Sequence, residues 1–369
     1  MLGCLILLLQ TSPALPAWAL GGFARPDGVN PIISPDPGIT FDCPMRKATV
    51  AWEANDTFNP AATVRNGKIC VLYRSEDRSG VGIGERTSRI GIAESTDGIH
   101  FKRSGKPVLF PAEDAQKENE WPGGCEDPRV TVTKDGTYVM MYTQWNRKIA
   151  RLAVATSKDL THWLKSGPAF QRAFGGKFAG TWSKSGSVLT ELDHGHLVMA
   201  KVHGHYWMYW GEGTIYGATS DNLTDWTPFV DDRRELVPIV KTRKGYFDSD
   251  LAECGPPAVK TDRGILLLYN GKNASNDSRD PRYPSAAYCA GQVLFDAERP
   301  EVIKERLDTP FLRPMAPFEK SGQYRSGTVF IEGLTYFHAK WWLYYGCADS
   351  RVAVAEFDPR KPTPPDPMP

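Results

Sequence analysis

The sequence predicts an all-β protein, a five-bladed β-propeller with its blades over residues 45–357. Two observations predict this fold: one strand phrase recurs five times, and a hairpin phrase follows the first three copies. Repeats that each encode a small antiparallel sheet are typical of propellers. A β-sandwich is the alternative fold, but it gives no reason for one phrase to recur.

The strand phrase is a small turn residue, an apolar run and an aromatic residue. Each copy predicts a buried strand that a tight turn opens. The turn residues follow one another at spacings of 69, 68, 60 and 75 residues. The copies are NGKICVLYRSED from Asn66, DGTYVMMYTQWN from Asp135, HGHYWMYWGEG from His203, RGILLLYNGKN from Arg263 and HAKWWLYYGCAD from His338.

The hairpin phrase is a Ser, a polar turn that contains Asp, and a closing aromatic residue, which predicts a turn between two blade strands. Helical patterns are rare, and the best candidate, Ala297–Leu307, is short and contains Pro300. The hairpin copies are IAESTDGIHF from Ile92, VATSKDLTHW from Val154 and GATSDNLTDW from Gly217.

The first 19 residues predict a signal peptide. The apolar run Leu2–Leu9 is too short to span a bilayer, and Ala17-Trp18-Ala19 matches a small-x-small cleavage site. No Lys or Arg precedes the apolar run, which is unusual for such a segment. We expect an exported protein, periplasmic or secreted, with no other membrane association. An extension over 20–44 then precedes the blades, and a Pro-rich tail covers 358–369.

Composition excludes several classes of protein. Hydrophobic residues at 41% and charged residues at 24% are near the globular average. Lys+Arg 44 against Asp+Glu 43 leaves no basic surplus for nucleic acid. Phosphate-binding, dinucleotide-binding and nucleophile-elbow motifs are absent, as are zinc-type Cys and His pairs. We therefore expect no cofactor and no metal, and we expect the cysteines after residue 19 to be mainly buried thiols; the oligomeric state stays open.

Polar residues follow the repeated aromatic in every blade. Because equivalent strands of a propeller end on the same face, these residues should converge around the central channel. Carboxylates, amides and aromatic rings together are typical of a sugar pocket, although each residue taken alone could be an ordinary turn residue. The blade ends are Arg74-Ser75-Glu76-Asp77, Thr143-Gln144-Trp145-Asn146, Gly211-Glu212, Asn270-Gly271-Lys272 and Gly346-Cys347-Ala348-Asp349.

Two further loops are rich in acids. WPGGCEDPRV holds Glu126 and Asp127, and FDSDLAECGPP holds Asp248, Asp250 and Glu253. Acid clusters in loops are often solvated or structural. Glycoside cleavage, however, needs a carboxylic acid and a carboxylate on two sides of one bond, and these loops can supply the pair.

Taken in order, the motifs GCEDPRV, YTQWNRKIARLAVATSKDLTHW, YWGE, FDSDLAECGPP and YYGCADSRVAVA resemble glycoside hydrolase family 130. This is a five-bladed propeller family of mannoside phosphorylases and β-1,2-mannosidases, and the resemblance covers roughly residues 45–357. It implies inverting cleavage of β-1,2-linked mannosides, with a mannooligosaccharide as partner and without a cofactor.

The resemblance also favours the hydrolase branch. The phosphorylases hold phosphate with a His-Arg pair at the end of the third-blade strand, where this chain has Trp210-Gly211 followed by Glu212. A carboxylate there would repel phosphate but can take a proton from water. Two alternatives stay open: a mannoside phosphorylase, with Arg151 as a phosphate-binding residue, and a non-catalytic carbohydrate-binding propeller.

By resemblance, Asp127 is the general acid and reaches the leaving oxygen through the mannose 3-hydroxyl. Glu212 and Glu253 are the candidate bases; we favour Glu212, with Glu253 holding the same water or the leaving sugar. Trp145 could stack on the sugar or pack between blades, and the other candidates have structural alternatives of similar weight. The candidate sugar contacts are Asn59, Arg74, Arg89, Trp145, Asp248 and Asp349.

Overall fold

The computed structural model describes residues 15–361, and nearly all of their regular structure is β-strand. This confirms the all-β prediction. Besides strands, the described residues contain one short α-helix, α1 (Lys117–Glu120), and two single turns of 3₁₀ helix, Ala173–Gly176 and Pro317–Glu319. None of these helices is long and apolar enough to cross a membrane.

The described strands form five open sheets of two, eight, five, seven and three strands. For description we group the strands themselves, in chain order, into an N-terminal hairpin and five units. The closed five-bladed arrangement stays a prediction. An N-terminal hairpin, β1 (Phe41–Cys43) and β2 (Ala48–Val50), precedes unit one, which contains β3 (Asp56–Arg65), β4 (Lys68–Glu76), β5 (Ser88–Ser95) and β6 (Lys102–Arg103). Unit two contains β7 (Gly124–Val132), β8 (Tyr138–Trp145), β9 (Ala150–Ser157) and β10 (Leu164–Pro168), and unit three contains β11 (Gly186–Val188), β12 (Thr190–Asp193), β13 (His196–Met199), β14 (Lys201–Val202), β15 (His205–Trp210), β16 (Tyr216–Ser220) and β17 (Thr227–Pro228). Unit four contains β18 (Leu251–Cys254), β19 (Val259–Thr261), β20 (Gly264–Lys272), β21 (Tyr288–Phe295) and β22 (Ile303–Arg306), and unit five contains β23 (Val329–Phe337), β24 (Lys340–Cys347) and β25 (Arg351–Phe357).

Each copy of the strand phrase forms the central strand of its unit, namely β4, β8, β15, β20 and β24. Each of these strands pairs antiparallel with neighbours on both sides. The three hairpin phrases form the predicted antiparallel turns, from β5 to β6, from β9 to β10 and from β16 to β17. The weak helical pattern at Ala297–Leu307 does not form a helix: a turn and strand β22 occupy it.

The apolar runs are continuous because both faces of each central strand are buried. In β4, Val71 and Tyr73 pack with residues of unit five, whereas Cys70 and Leu72 pack with residues of unit two. This is the alternation expected of successive strand residues. Five hydrophobic clusters join unit one to two, two to three, three to four, four to five, and five back to one.

The repeated tyrosine has a structural role in four units, because its hydroxyl donates to a buried carboxylate that a cation also contacts. In unit three, Tyr209 instead donates to the Pro300 carbonyl at 2.7 Å. The four pairs are Tyr73 with Glu53 at 3.0 Å, Tyr142 with Glu120 at 2.8 Å, Tyr269 with Asp248 at 2.6 Å and Tyr345 with Glu319 at 2.8 Å. The cations are Arg103, Lys165, Arg243 with Arg306, and Arg25.

The extension over 20–44 runs along the outer strand of unit five. Ala24 exchanges backbone hydrogen bonds with Glu356, and Ile33 pairs with Val352. The extension therefore covers the free edge of β25, which would otherwise be exposed to pairing with another chain. Residues 1–14 of the predicted signal peptide and residues 362–369 of the predicted tail lie outside the described residues, and export stays a prediction.

The six described cysteines are buried and free of disulfides, as the sequence predicts. Burial raises the pKa of the Cys70 and Cys289 thiols to about 12, which keeps them protonated and unreactive at neutral pH. They are Cys43, Cys70, Cys125, Cys254, Cys289 and Cys347.

Candidate active site

One cavity of about 190 Å³ is lined by residues of all five units. It contains six of the nine predicted site residues, and the other three lie elsewhere. The lining residues are Phe58, Asn59, Arg74, Glu76, Ile83, Asp127, Lys184, Glu212, Glu253, Tyr288, Gln323, Tyr324, Phe330 and Asp349.

Two β-bulges present Asn59 and Asp127 to the cavity. Asn59 lies in a register shift of β3 and Asp127 in one of β7, with backbone φ of 46° and 49°. Bulges of this kind redirect a side chain out of the strand pattern. Oδ1 of Asp127 accepts hydrogen bonds from Asn59 Nδ2 at 2.9 Å and from Arg74 Nη1 at 3.0 Å. Its second oxygen, Oδ2, lies 3.4 Å from Lys184 Nζ.

The buried guanidinium of Arg74 holds three carboxylates at once. Besides Asp127, its Nη2 donates to Glu76 at 2.7 Å and to Glu126 at 2.9 Å. Burial alone would raise the pKa of Asp127, but Arg74 and Lys184 hold that pKa well below its usual range. Burial dominates at Glu126 and raises its pKa to about 7. The neighbouring carboxyl groups therefore differ: Asp127 is ionised and Glu126 titrates near neutral pH.

Glu253 and Glu212 come from units four and three. Glu253 is buried on β18, and Ser185 donates a hydrogen bond to it. Burial and then the nearby charge of Glu212 raise the pKa of Glu253 to about 8, so that it is mainly protonated at pH 7. Glu212 follows β15, is exposed to solvent, and accepts a hydrogen bond from Trp182 Nε1 at 3.2 Å. Glu212 is therefore open to bulk solvent, whereas Glu253 is buried and meets only the cavity.

Lys184 is the main residue of the cavity that the sequence does not single out. Burial opposes its charge, but Glu212, Asp127, Glu126 and Glu253 together raise the pKa of its ammonium above the usual value. Lys184 lies shortly before β11, the first strand of unit three, and the WPGGCEDPRV loop lies around the start of β7, the first strand of unit two. A comparison of the residues at the start of each unit could therefore have identified Lys184 from the sequence.

Asp349 and Tyr288 also line the cavity. Burial raises the pKa of Asp349 to about 7, although Arg74 acts in the opposite direction. Asp349 and the preceding Ala348 both have positive φ, at 50° and 47°, in the turn between β24 and β25. Tyr288 contributes an aromatic face, which can pack on a sugar ring.

Arg89, Asp248 and Trp145 do not line the cavity. The structure buries Arg89 against Asp77, at 2.9 Å, and Cys43. Asp248 accepts a hydrogen bond from Tyr269 and pairs with two arginines, as one of the four tyrosine–carboxylate pairs of the central strands. Trp145 donates its indole N–H to a backbone carbonyl and packs edge-on against Trp182 at a centroid distance of 5.8 Å; Trp182 is the more exposed of the two rings.

Carboxyl groups that lie around one polar cavity and differ in protonation are typical of enzymes that cleave glycosidic bonds. Within residues 15–361 no group of His, Cys, Asp and Glu has the arrangement of a metal site. The sequence model of glycoside hydrolase family 130, described as beta-1,4-mannooligosaccharide phosphorylase, matches residues 26–361. The chain belongs to glycoside hydrolase family 130, which confirms the resemblance drawn from its motifs.

Relatives of two kinds are similar to this chain. A 1,2-beta-oligomannan phosphorylase of Thermoanaerobacter sp. (strain X514) is 33% identical over 84% of this chain and 93% of the relative. The crystal structure of a glycosyl hydrolase from Bacteroides ovatus is 60% identical, with a TM-score of 0.95 over 96% of this chain and 99% of that one.

A third relative is 59% identical, with a TM-score of 0.94 over 96% of this chain and 98% of its own. Its structure is reported as "The GH130 family of mannoside phosphorylases contains glycoside hydrolases that target beta-1,2 mannosidic linkages in Candida mannan".

Proposed function

We propose that this protein is an inverting hydrolase of β-1,2-linked mannosides, built as a five-bladed propeller and exported from the cell. The observation that carries hydrolysis is the charge balance of the cavity. Among the described residues that line it, five are carboxylic acids, and two, Arg74 and Lys184, are cations. The ring of inter-unit clusters, with unit five packed on unit one, supports the propeller.

The two cations are already engaged by carboxylates. Arg74 contacts Glu76, Glu126 and Asp127, and the ammonium of Lys184 lies 3.4 Å from Asp127. An incoming phosphate would have to displace these partners and would meet the charge of Glu212. Water meets no such penalty, so the site favours water as the nucleophile.

Asp127 is proposed as the proton donor, through the mannose 3-hydroxyl. Its Oδ1 is occupied by Asn59 and Arg74, which leaves Oδ2 to carry the proton. Arg74 and Lys184 keep the carboxyl group ionised when no sugar separates them from it. A sugar bound between Oδ2 and Lys184 would move the ammonium away and exclude water, and both changes raise the pKa of Asp127.

Glu212 is proposed as the base. It is the exposed carboxylate of the pair, and the indole N–H of Trp182 fixes one of its oxygens. Buried Glu253 holds a proton, which avoids a second negative charge beside Glu212. The protonated carboxyl group of Glu253 can then donate a hydrogen bond to the attacking water or to the leaving sugar. An inverting mechanism needs a general acid and a separate base, and the proposal assigns these roles to Asp127 and Glu212.

A mannoside phosphorylase is the second candidate, and the observation in its favour is the 33% identical phosphorylase of Thermoanaerobacter. The two activities differ in products. The test is to incubate the protein with β-1,2-mannobiose, with and without inorganic phosphate, and to follow products by NMR. Phosphate-independent release of mannose, with the newly formed reducing end first seen as the α-anomer, supports the proposal. Mannose 1-phosphate formed only with phosphate would overturn it in favour of phosphorolysis.

A further inference from the structure

Beneath the cavity, one buried arginine binds the backbone of two units. Arg129 of β7 donates from Nε to the Gly255 carbonyl at 3.1 Å and from Nη2 to the Cys254 carbonyl at 2.8 Å. Its Nη1 donates to the Asp127 carbonyl at 3.0 Å. The guanidinium therefore ties unit two to unit four by three backbone carbonyl groups.

A carboxylate of a third unit faces the same guanidinium. Oε1 of Glu332, on β23, lies 3.0 Å from Arg129 Nη1, and both side chains are almost completely buried. Neither carboxylate oxygen of Glu332 makes a hydrogen bond within the described residues. Burial raises the pKa of the Glu332 carboxyl group well above its usual range, and the Arg129 guanidinium acts in the opposite direction.

The position of Glu332 is itself fixed. It lies at a bulge of β23. The side chain of Asn270 fixes the preceding residue, Ile331, with two hydrogen bonds: it accepts one from the Ile331 N–H at 2.7 Å and donates one to the Ile331 carbonyl at 3.1 Å. On the other side, a Cβ at Gly333 would lie 2.7 Å from the Pro60 carbonyl oxygen of unit one. The backbone around Glu332 therefore has little room to move.

The bound carbonyls adjoin the carboxyl groups of the proposed reaction. One belongs to Asp127, and another belongs to Cys254, the residue directly after Glu253. We propose that the Arg129–Glu332 pair is a positioning device that sets the separation between the Asp127 and Glu253 side chains across units two and four. This inference rests on the proposed function and assigns a role to two residues that do not line the cavity.

The physical reason is geometric. Asp127 and Glu253 lie on different units, so no single strand fixes the distance between them. A planar guanidinium with donors in fixed directions can hold three carbonyl groups in one arrangement, which a lysine ammonium cannot reproduce. Misplacement of catalytic groups by about 1 Å can cost as much as 100-fold in rate.

The test compares Arg129→Lys and Glu332→Gln with the wild-type protein in turnover of β-1,2-mannobiose. Arg103→Lys is the matched control, because Arg103 pairs with the buried Glu53 and lies away from the cavity. We expect kcat to fall by roughly 10- to 100-fold in both test variants, with KM within threefold of wild type. The control should lose thermal stability but keep kcat.

The pH profile separates positioning from simple stabilisation. Glu212, Lys184, Arg129 and Ser185 face Glu253, and the Arg129 charge lowers the pKa of Glu253. Displacing that charge in Arg129→Lys should shift the Glu253 limb of the profile to higher pH, which lost stability alone would not do. If Glu332→Gln and folded Arg129→Lys keep wild-type kcat and pH profile, the inference is overturned and the proposed function stands. If the wild-type protein itself does not hydrolyse the substrate, both are overturned.

Discussion

The ammonium of Lys184 lies 3.4 Å from Oδ2 of Asp127, the oxygen that no other described side chain bonds. The same ammonium is stabilised by Glu212 and Glu253. One cation thus stands between the proposed proton donor and the proposed base. Its charge helps to keep Asp127 ionised and opposes the burial that protonates Glu253.

Replacing that cation should change both activity and its pH dependence. In Lys184→Met the pKa values of Asp127 and Glu253 should rise, because a positive neighbour is lost and the carboxyl groups repel one another. We expect kcat/KM to fall by about 100-fold or more and the pH profile to move to higher pH. Lys165→Met is the control, since Lys165 pairs with the buried Glu120 of unit two. Equal losses of activity in the two variants would contradict the role of Lys184.

Asp127→Asn should separate binding from catalysis. The amide keeps the shape of the side chain and an oxygen that can accept from Asn59 and Arg74, but it cannot deliver a proton. We expect kcat to fall by roughly 10²- to 10⁴-fold, while calorimetry still detects binding of β-1,2-mannobiose. Normal turnover would show that Asp127 is not the acid. Loss of binding with loss of turnover would indicate instead that its charge organises the cavity.

Asp248 should prove structural although the sequence predicts a sugar contact. It accepts from Tyr269 at 2.6 Å and pairs with Arg243 and Arg306, outside the cavity. In Asp248→Asn both arginines lose their buried charged partner, and Arg243 keeps only the exposed Asp308, so the free energy of unfolding should drop by about 3 kcal/mol. KM for mannobiose should stay within twofold of wild type. An increase in KM without a change in denaturant midpoint would restore the sugar-contact hypothesis.

The sequence predicted the central strands well because each carries its own local signal. Gly67, for example, has a φ of 70° in the turn that opens β4, and an apolar run with an aromatic follows it. The same pattern placed Arg74, Glu212 and Asp349 at strand ends, and the structure brings all three to the cavity. Local signals in the sequence were therefore sufficient to predict the central strands and three of the six predicted site residues that line the cavity.

The misplaced candidates depend on information that local patterns lack. Arg74 lies opposite Ile90 in the β4–β5 register, whereas Arg89 lies opposite Ser75, so the two arginines leave the sheet on opposite faces. Asp248 and Glu253 share one loop motif, but β18 begins between them, at Leu251. Lys184 reaches its acids only because units two, three and four pack together. Such long-range packing is not visible in a single motif.

Glu253→Gln should make the protein inactive but more stable at alkaline pH. In the folded protein burial and the Glu212 charge raise the pKa of Glu253 from 4.5 to about 8. The folded state therefore holds a proton that the unfolded state loses, and wild-type stability falls as the pH rises from about 4.5 to about 8. Glutamine has no such loss, so the variant should melt higher than wild type at pH 9, and the difference should shrink towards pH 5. Thermal melts at both pH values check this, with the exposed Glu118→Gln as control. A difference in melting temperature that is equal at pH 5 and pH 9 would contradict a protonated Glu253, and with it the proposed division of roles between Glu253 and Glu212.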